Sequence, residues 1–172
     1  MKTISLDLGC GRNIRNHYKS DFLMGLDMFP IADLQADLVW EPIPCPDNSY
    51  DYITAFDFIE HIPRVVYVDK EAKYPFIDLM NEIWRVLKPG GLFYSSTPAF
   101  PHAAAFQDPT HVNIITPDTW GEYFDDKKRW ASVYGFVGAF QIESIGYHGP
   151  HLQCEMRKVS VEQSQQSSET LL

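Results

Sequence analysis

The chain has 172 residues, 45% hydrophobic and 22% charged, with a formal net charge of -9. That length supports one hydrophobic core but hardly two, and an acidic balance with scattered Lys and Arg argues against a broad phosphate-binding surface, so nucleic acid is not an expected partner. Three widely spaced cysteines, Cys10, Cys45 and Cys154, speak against a secreted disulfide framework; with neither an export signal nor a membrane anchor expected, the location expected is cytoplasmic.

Near the amino terminus Ile4, Leu6 and Leu8 alternate with Ser5 and Asp7 and run into Gly9-Cys10-Gly11, the pattern of a strand ending in a tight turn. Residues 22–26 and 36–39 are short apolar runs, each followed by proline within a few residues, and are expected as strands two and three. After the turn signal Asp47-Asn48-Ser49, residues 50–58 are aromatic and β-branched enough for a buried fourth strand with Asp57 near its end. Behind Pro75, Phe76, Leu79, Met80, Ile83, Trp84 and Leu87 recur at helical spacing, and Lys88-Pro89-Gly90-Gly91 stops the helix. A fifth strand is expected over 92–97. A long connection over 98–134 follows, in which Thr116 and Pro117 are the N-cap and first residue of a helix. Two extended runs, 140–147 and 152–159, flank His148-Gly149-Pro150 and predict a closing antiparallel pair.

Strands alternating with a helix of this length predict an α/β fold: a Rossmann-like, mostly parallel sheet with helices on both faces and an antiparallel closing strand. One domain is expected over 1–160. Residues 161–172, rich in Ser and Gln, are expected to be a polar mobile tail.

The first turn lets backbone pass close to a ligand, since glycine has no Cβ and takes positive φ. A nicotinamide dinucleotide would require a third glycine opening a long helix. Here Arg12-Asn13-Ile14 follows, and only ten residues separate Gly11 from Phe22. This turn opens a series that runs, in order, Asp7-Leu8-Gly9-Cys10-Gly11-Arg12-Asn13, Gly25-Leu26-Asp27, Ala36-Asp37-Leu38, Pro46-Asp47-Asn48-Ser49-Tyr50-Asp51, Ile59-Glu60-His61-Ile62 and Glu82-Ile83-Trp84-Arg85-Val86-Leu87-Lys88-Pro89-Gly90-Gly91. This ordered series resembles the class I S-adenosylmethionine-dependent methyltransferases, specifically their small type 11-like group, over residues 4 to about 125. It departs from the group at Asn13, where a third glycine is usual, and in a first connection too short for a full helix.

The resemblance implies S-adenosylmethionine as cofactor, bound by Asp7, Gly9, Cys10, Gly11, Asp27, Met28, Asp37, Leu38, Phe56 and Asp57. Gly9 and Gly11 would lie against its amino-acid part, with Asp7 holding the turn, or the ammonium through water. Asp27 would accept from the ribose hydroxyls, a task suited to a carboxylate because it accepts several bonds and donates none when ionised. Asp37 and Leu38 would face the adenine, and Phe56 and Asp57 would form the pocket floor.

Long insertions at the carboxyl ends of parallel strands tend to recognise substrates, and the one over 98–134 contains His102, Asp108 and His111. Any of the three is a candidate base for a hydroxyl acceptor; no metal is expected. Asp108-Pro109-Thr110-His111 also resembles a string in this methyltransferase group. His61 is expected to be a structural hydrogen-bonding residue, Trp84 a core residue, and His148, His151 and Cys154 part of turn and strand packing. The expected activity is methyl transfer to a small-molecule acceptor such as a sugar, lipid precursor or metabolite. The alternative is a cofactor-binding partner or regulatory protein without catalysis, and a nicotinamide oxidoreductase ranks last.

Overall fold

β1 (Ile4–Leu8) forms where the alternation predicts it, yet its polar residues are buried as well as its apolar ones: Leu6 and Leu8 are 0% exposed, Ser5 1% and Asp7 2%. A strand covered on both sides belongs in the middle of a parallel sheet. The computed structural model describes residues 2–161 and arranges a seven-stranded sheet in the order β3-β2-β1-β4-β7-β9-β8. The strands are β2 (Phe22–Asp27), β3 (Leu34–Gln35), β4 (Tyr50–Phe56), β7 (Leu87–Pro98), β8 (Phe140–His148) and β9 (His151–Lys158). β3, β2, β1, β4 and β7 run parallel, and β9 and β8 close the edge antiparallel. This is the expected α/β class with a mostly parallel sheet. Of the expected tail, residues 162–172 lie outside the described residues.

α1 (Pro75–Val86) starts on its N1 proline and buries Phe76, Leu79, Met80, Ile83 and Val86, spaced three or four apart. These pack with Ile53 of β4 and Phe93 of β7 in the main core. α3 (Pro117–Tyr123) carries the reciprocal capping box of Thr116 and Thr119, and its Trp120, 0% exposed, meets Phe76, Phe93 and Phe124 ring to ring. The opposite sheet face presents Tyr52, Phe56 and Tyr94. It is covered by the short connection after the glycine turn, where Tyr18 stacks on Tyr52 at 4.2 Å and His17 on Tyr94 at 4.1 Å. The Tyr18 hydroxyl donates to Glu155 of β9 at 2.6 Å, which ties this cover to the far strands.

Several boundaries differ from expectation. Strand three is Leu34–Gln35 rather than 36–39, because Asp37 bends the chain: its carboxylate accepts from Val39 N–H at 3.1 Å and its carbonyl from Trp40 N–H at 2.9 Å. Strand four ends at Phe56 rather than 58, since Asp57 takes φ 50 and breaks the extended backbone. β7 pairs from Leu87, where the fifth strand is expected only from 92, with a register shift between Tyr50 and Tyr52 of β4. A hairpin of β5 (Val66–Val68) and β6 (Glu71–Lys73), and the short α2 (Ala104–Gln107), were not anticipated. Trp84 is only partly buried; its indole N–H donates to Ala139 O at 3.1 Å and anchors α1 to the start of β8. No helix among the described residues is long and apolar enough to cross a membrane.

Candidate functional site

The chain leaves β1 toward β2 and β3 on one side, then returns to β4 on the other. The carboxyl ends of β1 and β4 therefore flank the point where the strand order reverses, which is where open α/β sheets bind ligands. There the turn after β1 holds Gly9 at φ 62 and Gly11 at φ 54, a region glycine enters without the steric cost of a Cβ. The two glycines serve different ends. A Cβ on Gly9 would stand 2.3 Å from the Phe58 ring, whereas one on Gly11 would meet nothing within 4 Å. Gly9 is demanded by packing; Gly11 faces the open side.

Asp27 closes β2 beside this turn. One carboxylate oxygen accepts from Gly11 N–H at 2.9 Å and the other from Phe29 N–H at 3.0 Å, and each keeps a further lone pair. Asp7 is committed within the protein, accepting from the Thr54 hydroxyl at 2.6 Å and from Arg15 N–H at 2.8 Å. It holds the segment after the turn against β4, and burial pushes its carboxyl up. Cys10 is buried, and burial together with Asp27 and Asp7 pushes its thiol up to about 11, so it is a packing thiol at neutral pH.

Of the other residues implied by resemblance, Met28 is exposed just beyond β2. Leu38 turns its side chain into the core, leaving only its backbone for an adenine, and the Asp37 carboxylate is engaged in its own turn. Phe56 lies on the sheet face, its ring under the Arg15 guanidinium at 4.7 Å. Asp57 sits at the end of β4 with its carboxylate 2.7 Å from His151 Nε2 and 3.6 Å from Arg15. His151, expected in strand packing, thus reaches the carboxyl end of β4 through a register that the β7–β9 pairing creates.

A second cluster lies one turn beyond Asp57. The 3-10 turn Ile59–His61 is clamped to the insertion because Val112 N–H and Asn113 N–H both donate to Glu60 O at 2.9 Å. Asn113 also donates to Ile59 O at 3.2 Å and accepts from Arg64 at 2.6 Å. This brings the His61 and His111 rings to 4.9 Å between centroids. The Thr110 hydroxyl donates to Asp108 at 2.7 Å, so it accepts from His61 Nδ1 at 3.0 Å. Glu60 is 1% exposed; one oxygen accepts from the Thr97 hydroxyl at 2.5 Å, and burial pushes the carboxyl up. His111 and Asp108 therefore gather around His61, while His102 packs on Tyr147 at 5.6 Å, on the β8 side. Glu60 carries no expected role beyond the string Ile59-Glu60-His61-Ile62, and His61 only a structural hydrogen-bonding one; nothing in local sequence places them against the insertion.

A cavity of about 410 Å³ opens between α1 and α3, lined in part by Arg64, Tyr74, Phe76, Thr116, Tyr123 and Tyr134, away from the turn after β1 and from Asp27 and Asp57.

A glycine turn after β1 and an acidic residue closing β2, both at the reversal of strand order, form the arrangement at which open α/β sheets bind ligands. Residues 4–128 match the family model of the methyltransferase domain; the chain belongs to that family and is an S-adenosylmethionine-dependent methyltransferase. S-adenosylmethionine is its cofactor, which removes the nicotinamide reading. The fold is shared with a methyltransferase of Haloferax volcanii solved with the Trm112 methyltransferase activator, at TM-score 0.63 and 14% identity over 92% of this chain and 84% of that one. It is also shared with an S-adenosylmethionine-dependent methyltransferase from Archaeoglobus fulgidus, at 0.59 and 15% over 91% and 86%. The [4+2]-cyclase SpnF matches at 0.57 and 15% over 92% and 75%, so such likeness speaks for the fold alone. No curated protein matches the sequence.

Proposed function

We propose that the protein methylates a small-molecule hydroxyl seated at the carboxyl ends of β4 and β7, between the cofactor turn and the Glu60–His61–His111 cluster. The observation that carries this reading is the clamp of the insertion onto Ile59–His61, which sets imidazoles next to the cofactor end of β4. S-adenosylmethionine supplies a methyl group already activated on a positively charged sulfur, so the protein's work is alignment and exclusion of water. The open side of Gly11 accepts the cofactor's amino-acid part, and the free lone pairs of Asp27 accept from its ribose. The backbone of Asp37 and Leu38 meets the adenine, and Asp57 borders the transfer position.

At the acceptor side, His111 promotes ionisation of the hydroxyl, as the base that takes its proton where no cation is bound. Asp108 acts at one remove, through Thr110 and His61, and His102 takes no part. The acceptor is a sugar, lipid precursor or other metabolite, and the three unpaired cysteines fit a reducing cytoplasm.

Two results are expected. S-adenosylhomocysteine raises the melting temperature in a concentration-dependent way while NAD leaves it unchanged, because a ligand of the native state stabilises it by mass action; a shift with NAD alone would overturn the cofactor end. With an active acceptor from a hydroxyl panel, His111→Ala lowers turnover by about 10²-fold or more and leaves S-adenosylhomocysteine affinity within about twofold. Parallel loss of both would make His111 a structural residue.

A further inference from the structure

We propose that Glu60, His61 and His111 form a binding site for a divalent transition-metal cation of the zinc kind, which holds and ionises the acceptor hydroxyl. The site itself stands on geometry; its part in methylation rests on the function proposed above. The donor atoms of the three side chains all lie within 4.8 Å of one another. Ligands of one zinc ion, at bond lengths of about 2.0–2.2 Å, stand roughly 3.5 Å apart, so rotations on the order of an ångström close the set. Two imidazoles and one carboxylate suit borderline metals rather than magnesium, and three protein ligands leave a position for an exogenous oxygen.

Within this cluster two buried atoms, Glu60 Oε1 and His111 Nδ1, are among the described side-chain atoms that lack a hydrogen-bond partner. Buried polar atoms are nearly always satisfied, and a lone pair on each is what a cation requires. The surroundings are built to match. Thr110 donates to Asp108 and so receives the His61 Nδ1 proton, which leaves the Nε2 lone pair free, the usual outer support of a metal-bound histidine. Thr97 holds the second Glu60 oxygen at 2.5 Å, and two backbone bonds at 2.9 Å pin the His111 loop to Glu60. Both imidazoles are then neutral ligands facing one carboxylate.

In the reaction the acceptor O–H bond breaks on the cation and its proton passes to solvent. The oxygen's electron pair forms the new bond to the methyl carbon. The sulfur–carbon bond breaks with its pair on sulfur, which becomes a neutral thioether.

The test is calorimetric titration of metal-stripped protein with Zn²⁺, alongside Glu60→Gln and His111→Ala, and with Co²⁺ as an optical probe. One site per chain is expected, weakened about tenfold or more in each variant, with cobalt d–d absorption and no thiolate-to-cobalt charge-transfer band. Equal Zn²⁺ affinity in wild type and both variants, or a thiolate band, would overturn the proposal. S-adenosylhomocysteine titration of the same samples separates the two readings: retained cofactor binding without a metal site sinks only the cation, and a metal site without cofactor binding sinks only the methylation role. Retained binding in the variants also shows that they are folded.

Discussion

Asp27→Ala is expected to weaken S-adenosylhomocysteine binding by about 10²-fold or more, whereas Asp37→Ala stays within roughly tenfold. Hydrogen bonds to a charged group contribute about 1.5–3 kcal/mol each, and the Asp27 carboxylate has two oxygens with lone pairs to offer the ribose. It also orders the site before the ligand arrives, since Gly11 N–H and Phe29 N–H both donate to it. Removing it loosens the turn to which the proposed site assigns the cofactor's amino-acid end. Asp37 is engaged with Val39 N–H, and its backbone contact survives truncation of the side chain. Asp27→Asn should fall between the two, because an amide retains one acceptor. Calorimetric titration decides the ordering, with circular dichroism to show that each variant is folded. Wild-type affinity in Asp27→Ala would end the ribose assignment.

Gly9→Ala should destabilise the protein by about 2–5 kcal/mol, the sum of a left-handed alanine and an overpacked contact. The added carbon would lie 2.3 Å from the Phe58 ring at a φ of 62. Relief requires Phe58 to leave its place against the core. Gly11→Ala, at φ 54 but with nothing within 4 Å, should lose only about 1–2 kcal/mol. Its larger effect is on the cofactor: a methyl group on the open side should weaken S-adenosylhomocysteine binding by about tenfold beyond what unfolding explains. Urea denaturation gives the first comparison and titration of the folded fraction the second. If both variants lose stability equally and neither loses affinity, the division of labour between the glycines is wrong.

Much of this architecture was legible because its causes are local. The glycine turn follows from positive φ, the α1 helix from apolar residues three and four apart behind Pro75, and the α3 start from the Thr116 cap and Pro117. Where local signals compete, they mislead. Residues 36–39 carry apolar residues that suit a strand, but Asp37 captures the backbone into a turn. The β5–β6 hairpin turns at Asp69 and Lys70, with φ of 50 and 71, and neither residue announces that conformation as glycine would.

By itself the sequence determined the α/β class, the approximate places of β1, β2, β4, β7 and the closing antiparallel pair, the glycine turn and the acidic residue that closes β2, since these rest on steric and hydrogen-bonding preferences within a few residues. Only the tertiary structure decided what meets across the sheet. His151 reaches Asp57 because β9 pairs antiparallel with β7, and the short connection after Gly11 covers the Tyr52 and Tyr94 face by stacking. Glu60, His61 and His111 meet because two amides of the insertion bond to one carbonyl of the Ile59–His61 turn. Such contacts depend on loop closure between distant segments and on burial that no window of sequence contains.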